Sequence, residues 1–158
     1  MKELDHYDMQ ILELLQEDAR ITNKELSAKL GLSTTPIFER VKKLERNGYI
    51  KKYVALVDQK KLDKNLTSIL SVSLSKHTNE AIQNFLKNVA KFDQVMECYH
   101  IAGQSDFVLK VIVEDMDAYQ DFIVNHFSKM ENLSRLQSSF VMKEMKHTTA
   151  FKFDELKE

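Results

Sequence analysis

Residues 21–50 read ITNKELSAKLGLSTTPIFERVKKLERNGYI. Thr22-Asn23-Lys24-Glu25 has the T-x-x-E form of a capping box, in which the threonine oxygen accepts from the Glu25 backbone N–H and the glutamate reaches back to the cap. A helix therefore begins here. It turns Leu26 and Leu30 inward at i, i+4 spacing and stops at Gly31, which takes the left-handed conformation without steric cost. The turn is Gly31-Leu32-Ser33. Ser33 is then an N-cap, Pro36 fits a first helical turn, and Ile37, Val41 and Leu44 form the inner stripe of a second helix that ends near Asn47-Gly48.

The outer face of that second helix is where the chemistry lies. At about 100° per residue, Thr35, Glu39, Lys42 and Arg46 project opposite the apolar stripe, with Phe38 and Lys43 on the flanks. Hydroxyls in the first turn and long cations beyond it suit docking in a DNA major groove, where the helix start meets base edges and cations reach phosphates. The expected DNA-contacting set is Ser33, Thr34, Thr35, Phe38, Glu39, Arg40, Lys42, Lys43 and Arg46, with Glu39 a candidate acceptor from cytosine. A charged outer face is ordinary on any surface helix. The coincidence of cap, turn and basic face is what points to DNA.

Charge placement agrees. The net formal charge of the 158 residues is −1, yet residues 19–61 hold eleven Lys/Arg against four Asp/Glu, and the excess negative charge lies on either side. A basic segment inside an otherwise acidic chain is the footprint of a nucleic-acid face. With 43% hydrophobic residues the chain can bury a core in one or two small domains. The opening Met1-Lys2-Glu3-Leu4-Asp5 carries no apolar signal core, no apolar run has the length of a membrane span, and the single Cys98 cannot form an intrachain disulfide. The expected setting is cytoplasmic, with no membrane contact.

Working outward, Leu4, Ile11, Leu12 and Leu15 recur at helical spacing behind Asp5, so a first helix completes a three-helix unit over residues 1–49. Tyr49 to Val57 is rich in β-formers and reads as a strand, and with the charged run 58–65 it makes a connector spanning 50–66. Residues 67–158 then read as one domain: strand 67–76, helix 79–91, strands 94–102 and 107–114, helix 116–130, strand 134–146. The order βαββαβ predicts a ferredoxin-like sandwich with both helices on one face of an antiparallel sheet. The fold class is thus α+β, a winged-type helix-turn-helix followed by a ferredoxin-like domain. The strand Phe107 to Val113 is wholly apolar on one side and carries Val108 and Ile112 around Lys110 on the other, so the bare sheet face is expected to pack on a second subunit.

The pattern resembles the Lrp/AsnC group of transcription factors, the feast/famine regulators, over essentially the whole chain. The resemblance rests on Leu4-Asp5, Asp8, Ile11-Leu12, Leu15 and Asp18-Ala19-Arg20, on Glu25-Leu26 and Ala28, on Arg40-Val41-Lys42-Lys43-Leu44-Glu45 with Gly48 and Ile50, and on Gly103-Gln104-Ser105-Asp106-Phe107 with Leu109 and Val111. Ser105 stands where relatives carry an aromatic residue, and Asn65 near a position where they carry Gly. The resemblance implies a homodimer that assembles further, up to an octamer, and a small-molecule effector, an amino acid, bound where dimers meet. Gly103, Gln104, Ser105 and Asp106 would form that pocket, bordered by Ser138 and Ser139. Chemically, Asp106 suits an α-ammonium group, and backbone N–H groups of 103–105 suit a carboxylate.

No cofactor and no metal site is expected, and no enzyme. His6, His77, His100, His126 and His147 are spread over different elements, without H-E-x-x-H, C-x-x-C or P-loop spacing. The competing reading is Cys98 with His100, on one side of a strand, as a metal or nucleophile pair. A second alternative is a ligand-binding oligomeric module whose helix-turn-helix serves protein contact.

Overall fold

The computed structural model describes residues 4–153, and the chain divides into two compact units, Met1–Leu56 with Lys146–Glu158, and Val57–Met145.

In the first unit, α1 (His6–Glu17) starts at Asp5, whose carboxylate accepts from the Asp8 N–H at 2.9 Å. The capping box forms at α2 (Asn23–Leu30): the Glu25 N–H donates to Thr22 Oγ1 at 3.2 Å and Thr22 N–H donates to Glu25 Oε2 at 2.7 Å. Gly31 ends the helix at φ 66°. The hydroxyl of Ser27 donates to the Leu32 carbonyl and fastens the turn. Next, α3 (Thr34–Arg46) begins after Ser33, which holds the N-cap position but makes no side-chain capping bond. Ile11, Leu12, Leu26, Ile37 and Leu44 form the buried centre, with Leu4, Leu15, Ile21, Leu30, Val41 and Ile50 around them.

Two expectations change here. Tyr49 to Val57 is not a strand, and Tyr53, Val54, Leu56 and Val57 are exposed. A β-former run makes a strand only when a neighbouring strand accepts its ladder; instead Tyr49 and Ile50 donate to the Leu44 carbonyl, at 3.0 and 3.4 Å, closing α3. The last described residues, expected in the C-terminal domain, belong to the first unit. Gln16 Nε2 donates to the Phe151 carbonyl at 3.0 Å, the Phe151 N–H donates to Gln16 Oε1 at 2.7 Å, and Phe153 packs against the helical core. Polar satisfaction of the tail backbone and burial of an aromatic ring draw it there.

The second unit follows the βαββαβ order with β1 (Leu66–Leu74), α4 (Asn79–Val89), β2 (Val95–His100), β3 (Phe107–Val113), α5 (Met116–Asn125) and β4 (Leu133–Phe140). The antiparallel sheet runs β2-β3-β1-β4. Leu70, Val72 and Leu74 of β1 and Phe107, Leu109, Val111 and Val113 of β3 point to one face, where Phe85, Val89, Tyr119, Phe122 and Phe127 cover them. The opposite face carries Thr67, Ile69 and Ser71 paired with Ile112, Lys110 and Val108. Strand β4 stops short of the expected 146 because β1, its partner, begins at Leu66; the bond from Val141 N–H to Thr67 O is the last one across. In the connector it is Asp63, not Asn65, that takes positive φ, at 57°.

Candidate DNA interface and effector turn

Helix α3 is held on both flanks and exposed on its outer face. On one flank Arg40 Nη1 reaches Asp5 Oδ2 and Asp8 Oδ1, both at 2.6 Å, and Lys43 Nζ reaches Asp8 Oδ2 at 2.8 Å. The Asp8 side chain is 0% exposed. The Arg40 guanidinium also lies 5.5 Å from the centre of the Tyr7 ring. Hydrogen bonding to Asp5 pushes the Arg40 pKa further up. Burial pulls on the Asp5 carboxyl the other way, but the Asp8 N–H and the Arg40 and Lys43 charges still hold it below its ordinary value. On the other flank the Tyr53 hydroxyl donates to Glu45 at 3.0 Å, and burial first, then that carboxylate, push the phenol up to about 12.

Of the residues expected at DNA, Ser33, Thr34, Thr35, Phe38, Glu39, Lys42 and Arg46 are presented outward, Phe38 being 44% exposed despite its apolar ring. Lys42 pairs with Glu45 in an exposed i, i+3 bridge at 2.9 Å and lies 5.9 Å from the Phe38 ring centre. Arg40 and Lys43 are turned toward α1 instead. The sequence signal for this is Asp5 and Asp8, an N-cap and the residue three further on, but helical periodicity alone does not say which cations of α3 they meet.

In the second unit the turn after β2 is tied at both ends: Ile101 N–H donates to the Asp106 carbonyl at 2.9 Å, and Asp106 N–H to the Val72 carbonyl at 3.0 Å. The Asp106 carboxylate accepts from the Leu74 N–H at 2.7 Å through Oδ2 and lies 2.9 Å from His77 Nε2 through Oδ1. A Cβ added at Gly103 would meet nothing within 4 Å, so open space faces the turn. Ser138 and Ser139 are not brought to it. They sit opposite Leu70 and Ile69 on β4, with β1 between them and β3, and adjacent strand residues point to opposite faces. Ser138 Oγ bonds the Tyr119 hydroxyl at 2.7 Å, and Ser68 Oγ donates to the same hydroxyl at 3.3 Å. His77, Tyr119 and Ser68 were missed because their partners lie far away in sequence.

At Cys98 and His100 the surroundings do not favour a nucleophile: His100 stacks on Phe107 at 4.8 Å, and burial pushes the Cys98 thiol up. No group of three His, Cys, Asp or Glu side chains able to hold a metal occurs among the described residues. Among them also, no helix is long and apolar enough to cross a membrane.

Residues 4–51 match the model of a winged helix-turn-helix DNA-binding domain, and residues 67–151 match the Lrp/AsnC ligand-binding domain. The chain belongs to the Lrp/AsnC family. It is 40% identical to the transcriptional regulator AzlB of Bacillus subtilis over 97% of this chain and 98% of the relative. It is 36% identical to the leucine-responsive regulatory protein of Escherichia coli over 93% and 90%. A crystal structure of a Neisseria meningitidis transcriptional regulator in complex with L-Met superposes with a TM-score of 0.90 at 35% identity, covering 95% of this chain and 97% of that one. As an Lrp/AsnC member, the chain is a DNA-binding transcriptional regulator with a ligand-binding domain, and the three-helix and βαββαβ units are those two parts.

Proposed function

We propose that this regulator reads DNA with the outer face of α3 and responds to an amino acid held at the Gly103–Asp106 turn. The observation that carries the first half is the division of α3 into two clamped flanks and one unencumbered face bearing Ser33, Thr34, Thr35, Phe38, Glu39, Lys42 and Arg46. The first-turn hydroxyls meet base edges, and Lys42 and Arg46 meet phosphates. The amino-acid class is supported by the L-Met complex of the Neisseria meningitidis relative. Each carboxylate oxygen has two acceptor sites, so Asp106 can receive an ammonium group while keeping Leu74. Backbone N–H groups of Gly103, Gln104 and Ser105 then receive the ligand carboxylate.

Since β1 separates β4 from that turn within one chain, a β4 serine meets the same ligand only from a second copy; of the pair Ser138 and Ser139, the one proposed to do so is Ser139, which pairs with Ile69 of the open sheet face, whereas Ser138 is bonded to Tyr119. The regulator is therefore proposed to act as a homodimer that stacks further, up to an octamer, in the cytoplasm. The sheet face bearing Ile69, Val108 and Ile112 supplies apolar surface for pairing. The test is a thermal-shift series with L-methionine and the other amino acids on the full chain, followed by DNA binding with and without the ligand that raises Tm. Binding only to the folded state raises stability by RT ln(1 + [L]/Kd). No shift with any amino acid at millimolar concentration removes the effector reading. DNA affinity that does not fall with added salt removes the DNA-face reading.

A further inference from the structure

The four cations of α3 differ in what they are free to do. Projected down the helix at about 100° per residue, Ile37, Val41 and Leu44 point inward, and Lys42 and Arg46 point directly away. Arg40 and Lys43 lie on the side between them, toward α1. Both of these end on one carboxylate, Asp8, which is fully buried and takes Arg40 on Oδ1 and Lys43 on Oδ2. Arg40 has a further, exposed partner in Asp5.

We propose that Asp8 is an internal anion that sets the rotation of the recognition helix, with Arg40 and Lys43 as positioning residues rather than phosphate contacts, and that α3 meets the DNA backbone through Lys42 and Arg46. A phosphate drawing Lys43 away would leave a carboxylate without solvent and short of one partner, a cost larger than one exposed ionic contact returns. The bridge between Lys42 and Glu45 carries no such penalty, since both ends stay hydrated and the cation exchanges one anion for another. The geometry also explains why two anions occupy the start of α1 in a unit whose α3 is basic: they neutralise the cations that face α1, and leave the outward ones with no buried partner.

The test is the salt dependence of the full chain on a random-sequence duplex, with its affinity for a sequence selected from a random pool measured alongside. Each lost phosphate contact lowers the slope of log K against log salt by about 0.9. Arg46→Gln is expected to lower it by that amount. Lys43→Gln is expected to keep the wild-type slope while the ratio of selected to random affinity falls, because a rotated helix still meets phosphates but no longer aligns its first turn with base edges. Should Lys43→Gln fail to fold, Asp8→Asn combined with Lys43→Gln removes both charges together and lets the glutamine oxygen accept from the buried asparagine N–H; the same unchanged slope is expected. A slope lowered in either variant as far as in Arg46→Gln overturns the proposal, as does an unchanged slope with full discrimination.

Discussion

Gln16 and the backbone of Phe151 form a reciprocal pair, the side-chain amide donating to the carbonyl at 3.0 Å and accepting from the N–H at 2.7 Å, across 135 residues of chain. The pair mimics one rung of a β-ladder, with a helix side chain in place of a strand. Glu13 adds a third contact by accepting from the Phe153 N–H at 3.4 Å. Gln16→Ala is expected to lose the protection of the Phe151 amide in hydrogen exchange and to lower the stability of the helical unit by about 1 kcal/mol, the net worth of a hydrogen bond or two at a surface. Unchanged protection would show that Phe153 alone holds the tail.

The Asp106 carboxylate has a part in the fold that is separate from the ligand role proposed for it. Asp106→Ala strips the Leu74 N–H of its acceptor, so a loss of about 1–3 kcal/mol is expected with no effector present. Asp106→Asn keeps an oxygen for Leu74 and removes the charge. It should melt near the wild-type temperature yet lose its thermal shift with L-methionine. Equal shifts in wild type and Asp106→Asn would place the ammonium elsewhere.

The capping box makes the start of α2 sensitive to acid. Glu25 is held below its ordinary value by the Thr22 N–H first and the Thr22 hydroxyl second. Its folded pKa therefore lies below the unfolded one, so its contribution is complete above the unfolded value and fades as pH falls through the folded value. Protection at the first turn of α2, taken as the exchange rate relative to the intrinsic rate at each pH, should fall selectively below about pH 4.5, the upper edge of that window. Glu25→Gln should abolish this step, measured over the same pH series.

Gly31 tests the turn by itself. Its φ is 66°, and an added Cβ would meet nothing within 4 Å, so backbone strain is the whole cost of a side chain there. Gly31→Ala should lower stability by about 1 kcal/mol. Gly31→Asn should lose less, because asparagine tolerates the left-handed region. Chemical denaturation of the two variants compares them directly; equal losses would mean that some other constraint acts at the turn.

Features with local physical causes were legible in advance. The capping box, the left-handed Gly31 and the alternation of Phe107, Leu109, Val111 and Val113 each depend on residues within a few positions of one another. What escaped prediction depends on partners far along the chain. Tyr49 to Val57 has the composition of a strand but no ladder to join, and the tail's partner lies in α1. At the DNA face, helical periodicity placed Lys42 and Arg46 outward but could not say that the flanking Arg40 and Lys43 would meet Asp8. In the Gly103–Asp106 turn, Asp106 is legible from its neighbours in sequence, whereas Leu74 and His77, which hold it, are not. The opposite facing of Ser138 and Ser139 follows from the two-residue period of any strand, a constraint available from the outset.

The course of the chain through its two units has a consequence for how the molecule is made. A ribosome releases α1, α2 and α3 first, yet Phe153, which closes over their core, is among the last described residues to emerge. The three helices are therefore incompletely covered until the βαββαβ unit has been synthesised. A chain halted before the tail has been made carries the three helices without the ring that packs on their core.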